Sequence, residues 1–457
     1  MTVSDWLQDA YFETPDVDSI DGGTTSAGTL WHGVSPRWGH SMQTMCSYQG
    51  MFPAKVAHYF IQRYSKPGDV VLDPFSGRGT VPLQARVEGR IAVCNDLNPL
   101  AYVLSKSKVA PPRWDAILGY LSDLEAAYLS SPEVDPSVPD DIRMLFHANT
   151  LRQICFLRDV VLRKEITDWS ANELMLAGAL AGIMHGAHRR DGTSQYLSIS
   201  MPNTFSMAPS YVAKFIDEKG LTKPDQNVFA RLRDKLARLY LDDVQGIDGA
   251  AHHKDAVSLL EEMEPNSVNL VVTSPPYLQV VNYGTSNWIR LWLLGLDEVG
   301  RDSGSGRKKL DADLDHRHTY TSYVEFMKRV FQGTRRVLKP NGVAVFVIGD
   351  VADPGKDPLP LAKQIWQDMG KQTGLELLEI VEDHLPVQNK VSRIWGETKG
   401  QATARDCALV LHREDSAPRV GLAEIDWDEP YKDAGPDAAH ARVKSARVSL
   451  EQEPAQE

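Results

Sequence analysis

The sequence predicts an α/β protein built on a Rossmann-like, doubly wound sheet with a largely helical insertion. Three observations carry this. A short β-branched apolar run, VVLDPF at 70–75, ends in a glycine-rich turn and leads through a helical pattern to a second strand, IAVCNDLNP. Strand and helix patterns alternate again from SVNLVVTSPPY, near residue 268, to about residue 413. Between these blocks, residues 112–250 show helical spacing broken by Pro/Ser/Asp-rich turns. Strand–turn–helix–strand units of the first kind build parallel sheets with helices on both faces.

Residues 1–35 are polar and aperiodic and read as an N-terminal arm. The α/β domain then occupies 36–111 and 251–413. PAKVAHYFIQRYS has apolar residues at helical spacing, and KPGD turns the chain into the first strand. The insertion contributes WDAILGYLSDLEAAYL, LRQICFLRDVVLR, ANELMLAGALAGIMHGA and NVFARLRDKLARLYL as helices. After SVNLVVTSPPY come a helix ending near RRVLKPNG, the strand VAVFVIGD and a helix at LPLAKQIWQDMGKQTG. LELLEIVEDHL and RDCALVLHR are two late strands. Residues 414–457 are rich in Asp, Glu, Ala and Pro and read as a disordered acidic tail.

The 457 residues carry a formal net charge of −12. Nucleic-acid-binding domains are often basic, but net charge is a whole-chain average while contact surfaces are local. No apolar run is long enough to span a bilayer, and the acidic N-terminus lacks a signal pattern. A cytoplasmic, nucleoid-associated location is therefore expected. Cys46, Cys94, Cys155 and Cys407 form no CxxC pair, so neither a disulfide framework nor a metal site is expected.

The loop PFSGRGT places Gly77 and Gly79 where backbone can approach a ligand closely. It lacks the Lys-Ser/Thr ending of a phosphate loop. Asp73 at the strand end would repel a phosphate and suits a cationic ligand. Asp96, at the end of the second strand, lies where an acid accepts hydrogen bonds from ribose hydroxyls in nucleoside-binding α/β folds. It also suits the capping of the turn before Asn98-Pro99. Thr273-Ser274-Pro275-Pro276-Tyr277 follows a buried-looking strand. Two prolines stiffen that loop and leave its carbonyls free at the carboxyl edge of the sheet. Hydroxyl and carbonyl can accept from the NH₂ of a planar ring, and Tyr277 can stack on it.

DPFSGRGT followed by TSPPY resembles the S-adenosylmethionine-dependent, amino-directed DNA methyltransferases, which form N4-methylcytosine or N6-methyladenine. The resemblance covers roughly 47–110 and 250–412. It implies that 36–111 and 251–413 are a catalytic methyltransferase domain and that S-adenosyl-L-methionine is the cofactor. SYQGMFPAKVAHYFI, with Phe52 and Pro53, resembles the segment beside the cofactor's methionine end. The cofactor site would further include Asp73, Phe75, Gly77, Gly79 and Thr80, with Asp96 and Asn98 at the ribose. Asp255 and Ala256 would lie on the adenine side. Ser274, Pro275, Pro276 and Tyr277 would form the catalytic loop, acting on a base flipped out of double-stranded DNA by direct in-line transfer.

Serine before Pro-Pro-Tyr resembles the N4-cytosine enzymes; many adenine enzymes carry Asp or Asn there. N4-cytosine is therefore the expected product, with N6-adenine as the alternative. Cytosine-C5 methylation would need a Pro-Cys loop, which is absent from the sequence. Residues 112–250 are the expected target-recognition region. Arg189, Arg190, Ser194, Gln195 and Asn203 are candidate DNA contacts, because hydroxyls, amides and guanidiniums meet phosphates and base edges. Arg231, Arg233, Lys235 and Arg238 read equally as DNA contacts or as a solvated helix face. Trp288, Trp292, His185 and His188 read as structural. An RNA amino-methyltransferase and a catalytically silent DNA-binding partner stay open as alternatives, as does a cognate restriction endonuclease or other defence-system partner.

Overall fold

The computed structural model describes residues 23–26, 30–31, 33–35, 38–50, 53–189, 193–202, 206–244, 246–276, 283–296, 311–312, 314, 319–351, 359–383, 406–421 and 425–427. Its strands are β1 (Gly23–Ser26), β2 (Val70–Asp73), β3 (Ile91–Asn95), β4 (Ala250–His252), β5 (Val268–Thr273), β6 (Leu338–Gly349), β7 (Leu375–Asp383) and β8 (Asp406–Arg413). They form one sheet in the order β1-β7-β8-β6-β5-β2-β3-β4. β8 runs antiparallel to both β6 and β7; the other pairs are parallel. This is the Rossmann-like, doubly wound sheet that the sequence predicts.

Helices cover both faces. α1 (Ala54–Tyr64) and α2 (Thr80–Val87) lie on one side, where Val56, Phe60, Ile61 and Ala85 pack over Val71, Leu270 and Val345. α3 (Pro99–Val109) follows β3. β5 is buried along its whole length, as a strand covered on both faces must be. The strand order reverses between β2 and β5, which pair through Leu72 and Val271. Their carboxyl ends, Asp73 and Thr273, therefore flank the crevice where doubly wound sheets bind ligands.

The insertion supplies α4 (Trp114–Leu129), α5 (Asp140–Arg143), α6 (Ala148–Val161), α7 (Ala171–Ile183), α8 (Pro209–Lys219) and α9 (Val228–Leu239). It is not a separate lobe. Its core is continuous with Met42 and Met45, with Leu100 and Leu104 of α3, and with Trp288 and Trp292. A Cβ at Gly182 of α7 would lie 1.8 Å from the Met45 carbonyl oxygen, so only glycine admits this approach. The later helices are α10 (Ala256–Glu262), α11 (Tyr283–Ser286), α12 (Trp288–Leu293), α13 (Tyr320–Val337) and α14 (Leu361–Met369). The last two, with α10, cover the second face of the sheet. Among the described residues, no helix is long and apolar enough to cross a membrane.

The fold departs from the sequence reading in three places. Residues 1–35 are not wholly an arm: Gly23–Ser26 pair with β7, Trp31 is buried and its indole donates to Asp383 at 2.9 Å. Residues 414–457 are not wholly a free tail. Arg419 bonds Asp69 at 2.6 Å, the Gly421 amide bonds the Arg63 carbonyl at 2.6 Å, and Trp427 packs edge-on to Trp38. β4, in Ala250–His252, is too short to show a strand period; it exists because β3 offers it an edge. Each of these segments is ordered by partners remote in sequence, which no local pattern reveals.

Candidate active site

β2 delivers Asp73 to the sheet edge with its side chain only 4% exposed. One carboxylate oxygen, Oδ1, accepts from the Thr273 hydroxyl at 2.7 Å and from the Phe75 amide at 3.2 Å. Burial pushes the carboxyl from 3.8 up to about 7; the two hydrogen bonds oppose the shift and the Asp96 charge adds to it. The Thr273–Asp73 bond ties the end of β5 to the end of β2. Gly77 (φ +50°) and Gly79 (φ +77°) take left-handed backbone, and a Cβ at Gly79 would stand 2.8 Å from the Ser105 Cα. The loop therefore curls tightly into α2, whose first residue is Thr80.

Asp96 accepts from the Gly77 amide at 2.8 Å and from the Asn98 amide at 2.9 Å. Burial raises its carboxyl to about 6 against these bonds. Asn98 caps α3 by accepting from the Leu100 amide at 3.0 Å and donates to the Tyr48 hydroxyl at 3.0 Å. Asn95 braces two loops, donating to the carbonyls of Pro74 at 3.2 Å and Lys254 at 3.0 Å. Asp255 caps α10 through the Ser258 amide at 2.9 Å, and Ala256 is that helix's first residue.

One cavity with about 920 Å³ of empty space, part of it open to solvent, collects these groups. Of the sequence-predicted residues, Asp73, Phe75, Gly77, Thr80, Asp96, Asn98, Asp255, Ala256, Ser274 and Pro276 line it. Gly79 shapes the loop from behind, and buried Pro275 sits between two lining residues. Pro53 is an exposed residue at the start of α1, outside the lining. Phe52 and Tyr277 lie outside the described residues.

Residue-by-residue reading missed several wall residues: Tyr48, Gln49, Gly50, Ser76, Tyr283, Leu314 and Phe326. Tyr48 stacks on Tyr283 with ring centroids 5.8 Å apart, and Phe326 meets Phe75 edge-on at 5.9 Å. The SYQG stretch was a signal for Tyr48, Gln49 and Gly50, and the glycine loop for Ser76; Tyr283, Leu314 and Phe326 reach the wall from α11, residue 314 and α13, where no motif marks them. The Gln49 side-chain oxygen is buried without a hydrogen-bond partner among the described residues.

The candidate DNA contacts divide. Arg189 and Gln195 are exposed. Ser194 is turned inward, accepting from the Tyr196 amide at 2.8 Å, so it builds a turn rather than a contact surface. Arg190 and Asn203 lie outside the described residues. The polar stretch that begins at Ser194 is held beside the continuation of the Pro-Pro loop. The Ser206 amide bonds the Ser286 carbonyl at 2.8 Å, and the Trp288 indole bonds the Met207 carbonyl at 2.9 Å. Three of the four cations of α9 are committed within the fold. Arg233 pairs with Glu125, Arg231 donates to Gln226 at 2.9 Å, and Lys235 reaches the Thr44 carbonyl at 2.7 Å.

A DNA methylase family model of the N6/N4 type matches residues 8–106 and 268–392. The type II methyltransferase M.BsoBI of Geobacillus stearothermophilus is 22% identical over 285 residues, 56% of this chain and 53% of that protein. The chain thus spans about half the length of that relative. Among solved structures, TrmN from Thermus thermophilus aligns over 81% of this chain and 52% of its own, with 11% identity and a TM-score of 0.31. The DNA modification methylase TTHA0409 of the same organism, in complex with S-adenosyl-L-methionine, aligns over 40% and 58%, with 21% identity and a TM-score of 0.22. The family match falls on both halves of the sheet that build the cavity, and there the chain is similar to the N6/N4 DNA methylase family.

Proposed function

We propose that the protein transfers a methyl group from S-adenosyl-L-methionine to the exocyclic N4 amino group of cytosine in double-stranded DNA. One observation carries the reading: the glycine loop, the acids Asp73, Asp96 and Asp255, and Ser274 with Pro276 all line a single cavity. Methyl donor and amino acceptor can therefore meet in it.

The donor set fits the cofactor. Carboxyls held up by burial gain most from a cationic ligand, and this ligand carries an ammonium and a sulfonium. The orphaned Gln49 oxygen offers an acceptor to the ammonium. Asp96 and Asn98 would hold the ribose hydroxyls, and Asp255 and Ala256 the adenine. Phe75, Gly77 and Thr80 would flank the chain between, with Tyr48, Gln49 and Gly50 at the methionine end. Once bound, the cofactor supplies an electrophilic methyl carbon.

The chain's own residues then position the acceptor. Ser274 and the Pro275 carbonyl accept hydrogen bonds from the amino group and aim its lone pair. Tyr277 stacks on the flipped base. The amino nitrogen so aimed would take the methyl carbon that the cofactor supplies as its bond to sulfur is given up, and the amino proton would leave to water. No residue need bond covalently to the base. Ser274 in place of Asp or Asn supports cytosine over adenine. Arg189 and Gln195, near the polar stretch tied to α11 and α12, would meet the DNA as it arrives.

Nucleoside mass spectrometry tests the reading, using labelled S-adenosyl-L-methionine, a mixed-sequence duplex and the full chain. Labelled N4-methylcytosine is expected. Labelled N6-methyladenine would keep the reaction and overturn the base assignment. An unlabelled duplex, with the cofactor bound, would overturn the DNA reading and favour an RNA substrate or a silent partner.

A further inference from the structure

Two consecutive prolines leave the loop after β5 with no N–H at either position, so its local backbone bonding rests on carbonyls. One of these carbonyls is already engaged. Tyr323 on α13 is 1% exposed, and its hydroxyl donates to the Pro276 carbonyl oxygen at 3.0 Å. The bond spans 47 residues of chain. One turn further along α13, Phe326 lies 6.3 Å from the Tyr323 ring and packs on Phe75 of the glycine loop. A single helix face thus reaches both halves of the cavity, at Pro276 and at Phe75. One turn before Tyr323, the Tyr320 hydroxyl donates to Asp368 of α14, which anchors the helix away from the cavity.

We propose that Tyr323 is a positioning residue for methyl transfer. The inference rests on the amino-methyltransferase reading above and deepens it. By occupying the Pro276 carbonyl, the Tyr323 hydroxyl holds the Pro-Pro loop at one height above the cavity. With the Pro276 carbonyl tied to α13, the loop presents Ser274 and the Pro275 carbonyl to the target amino group. Tyr323 touches neither substrate nor cofactor; it acts through the loop. Loss of the hydroxyl frees the loop to shift, and misplacing an acceptor by about 1 Å can cost up to roughly a hundredfold in rate.

The test compares Tyr323→Phe with Tyr320→Phe. Both remove a hydrogen-bonded hydroxyl from the same helix, but only the first reaches the loop. Turnover is measured with S-adenosyl-L-methionine and duplex DNA, cofactor affinity by calorimetry, and folding by thermal melts. Tyr323→Phe is expected to lower kcat roughly ten- to a hundredfold with cofactor affinity unchanged. Tyr320→Phe should leave kcat near the parent value. In the Tyr323→Phe/Ser274→Ala double variant the two losses should be less than additive, because both act on one acceptor geometry. Unchanged kcat in Tyr323→Phe would overturn the proposal. So would an equal loss in Tyr320→Phe, or a parallel fall in kcat and cofactor affinity, since each marks a purely structural role. A parent protein that binds cofactor yet leaves DNA unmethylated would instead overturn the underlying reaction, and this inference with it.

Discussion

Replacing Asp73 with Asn should make the ligand-free protein more stable at pH 8 while weakening its grip on the cofactor. Both hydrogen bonds to Asp73 land on Oδ1, from Thr273 at 2.7 Å and Phe75 at 3.2 Å. An Asn oxygen in the same place accepts both. What the substitution removes is a charge buried at 4% exposure. Burial raises the carboxyl from 3.8 to about 7 in the folded chain. The raised value means that the native state holds a proton which the unfolded chain has lost. The associated stability is full below about pH 4 and is lost as pH rises through 7. Three pH units correspond to about 4 kcal/mol at 1.36 kcal/mol per unit. That is a large fraction of the roughly 5–15 kcal/mol that holds a typical domain together.

Urea unfolding midpoints at pH 5 and pH 8, without ligand, measure this directly. The Asn variant should gain on the parent protein as pH rises, and the gap should widen by about 2–3 kcal/mol between these two values. Adding S-adenosyl-L-methionine should reverse the ranking at pH 8, because a cationic ligand compensates the carboxylate and has nothing to compensate in Asn. A variant less stable than the parent at pH 8, or a gap independent of pH, would refute the reasoning. The carboxylate would then be solvated or already charge-paired.

Four further outcomes are expected. Ser274→Ala should lower turnover about tenfold or more while calorimetry finds cofactor affinity intact, because the lost acceptor faces the amine and not the cofactor. Asp255→Asn should weaken cofactor binding yet keep the α10 cap, whereas Asp255→Ala should lose binding and about 1 kcal/mol of stability in urea titrations. Gly79→Ala should destabilise more than Gly68→Ala. Both adopt left-handed backbone, at a cost of about 1–2 kcal/mol for alanine, but only Gly79 has a backbone atom, 2.8 Å away, in the path of the new Cβ. Removing residues 418–457 should lower the melting point by an amount equivalent to about 1–3 kcal/mol, through loss of half-buried Trp427 and of the Arg419–Asp69 pair. A truncated chain that melts with the parent would show that this docking contributes no net stability.

Features that declare themselves within a dozen residues were legible in the chain. VVLDPFSGRGT shows a strand, a glycine turn and a helix start together, because β-branched runs, positive-φ glycines and helical spacing are local properties. The same holds for NLVVTSPPY, where a wholly buried strand is written as an unbroken apolar run. Ten of the sequence-predicted residues accordingly line one cavity.

What the tertiary structure alone decided depends on partners far along the chain. Tyr48 becomes a wall residue because Asn98 and Tyr283 come to it. Lys235 is consumed by the Thr44 carbonyl, so one cation of a helix that reads equally as a DNA contact or as a solvated face is instead an internal brace. Gly23–Ser26 become a strand because β7 presents an open edge, and the segment around Trp427 docks because Trp38 waits for it. Asp73 shows both sources at once. Its place at a strand end is local, while its raised carboxyl comes from desolvation by side chains that only folding assembles. Chemistry near in sequence is set by backbone propensity and spacing, whereas burial and long-range pairing exist only once the chain has closed on itself.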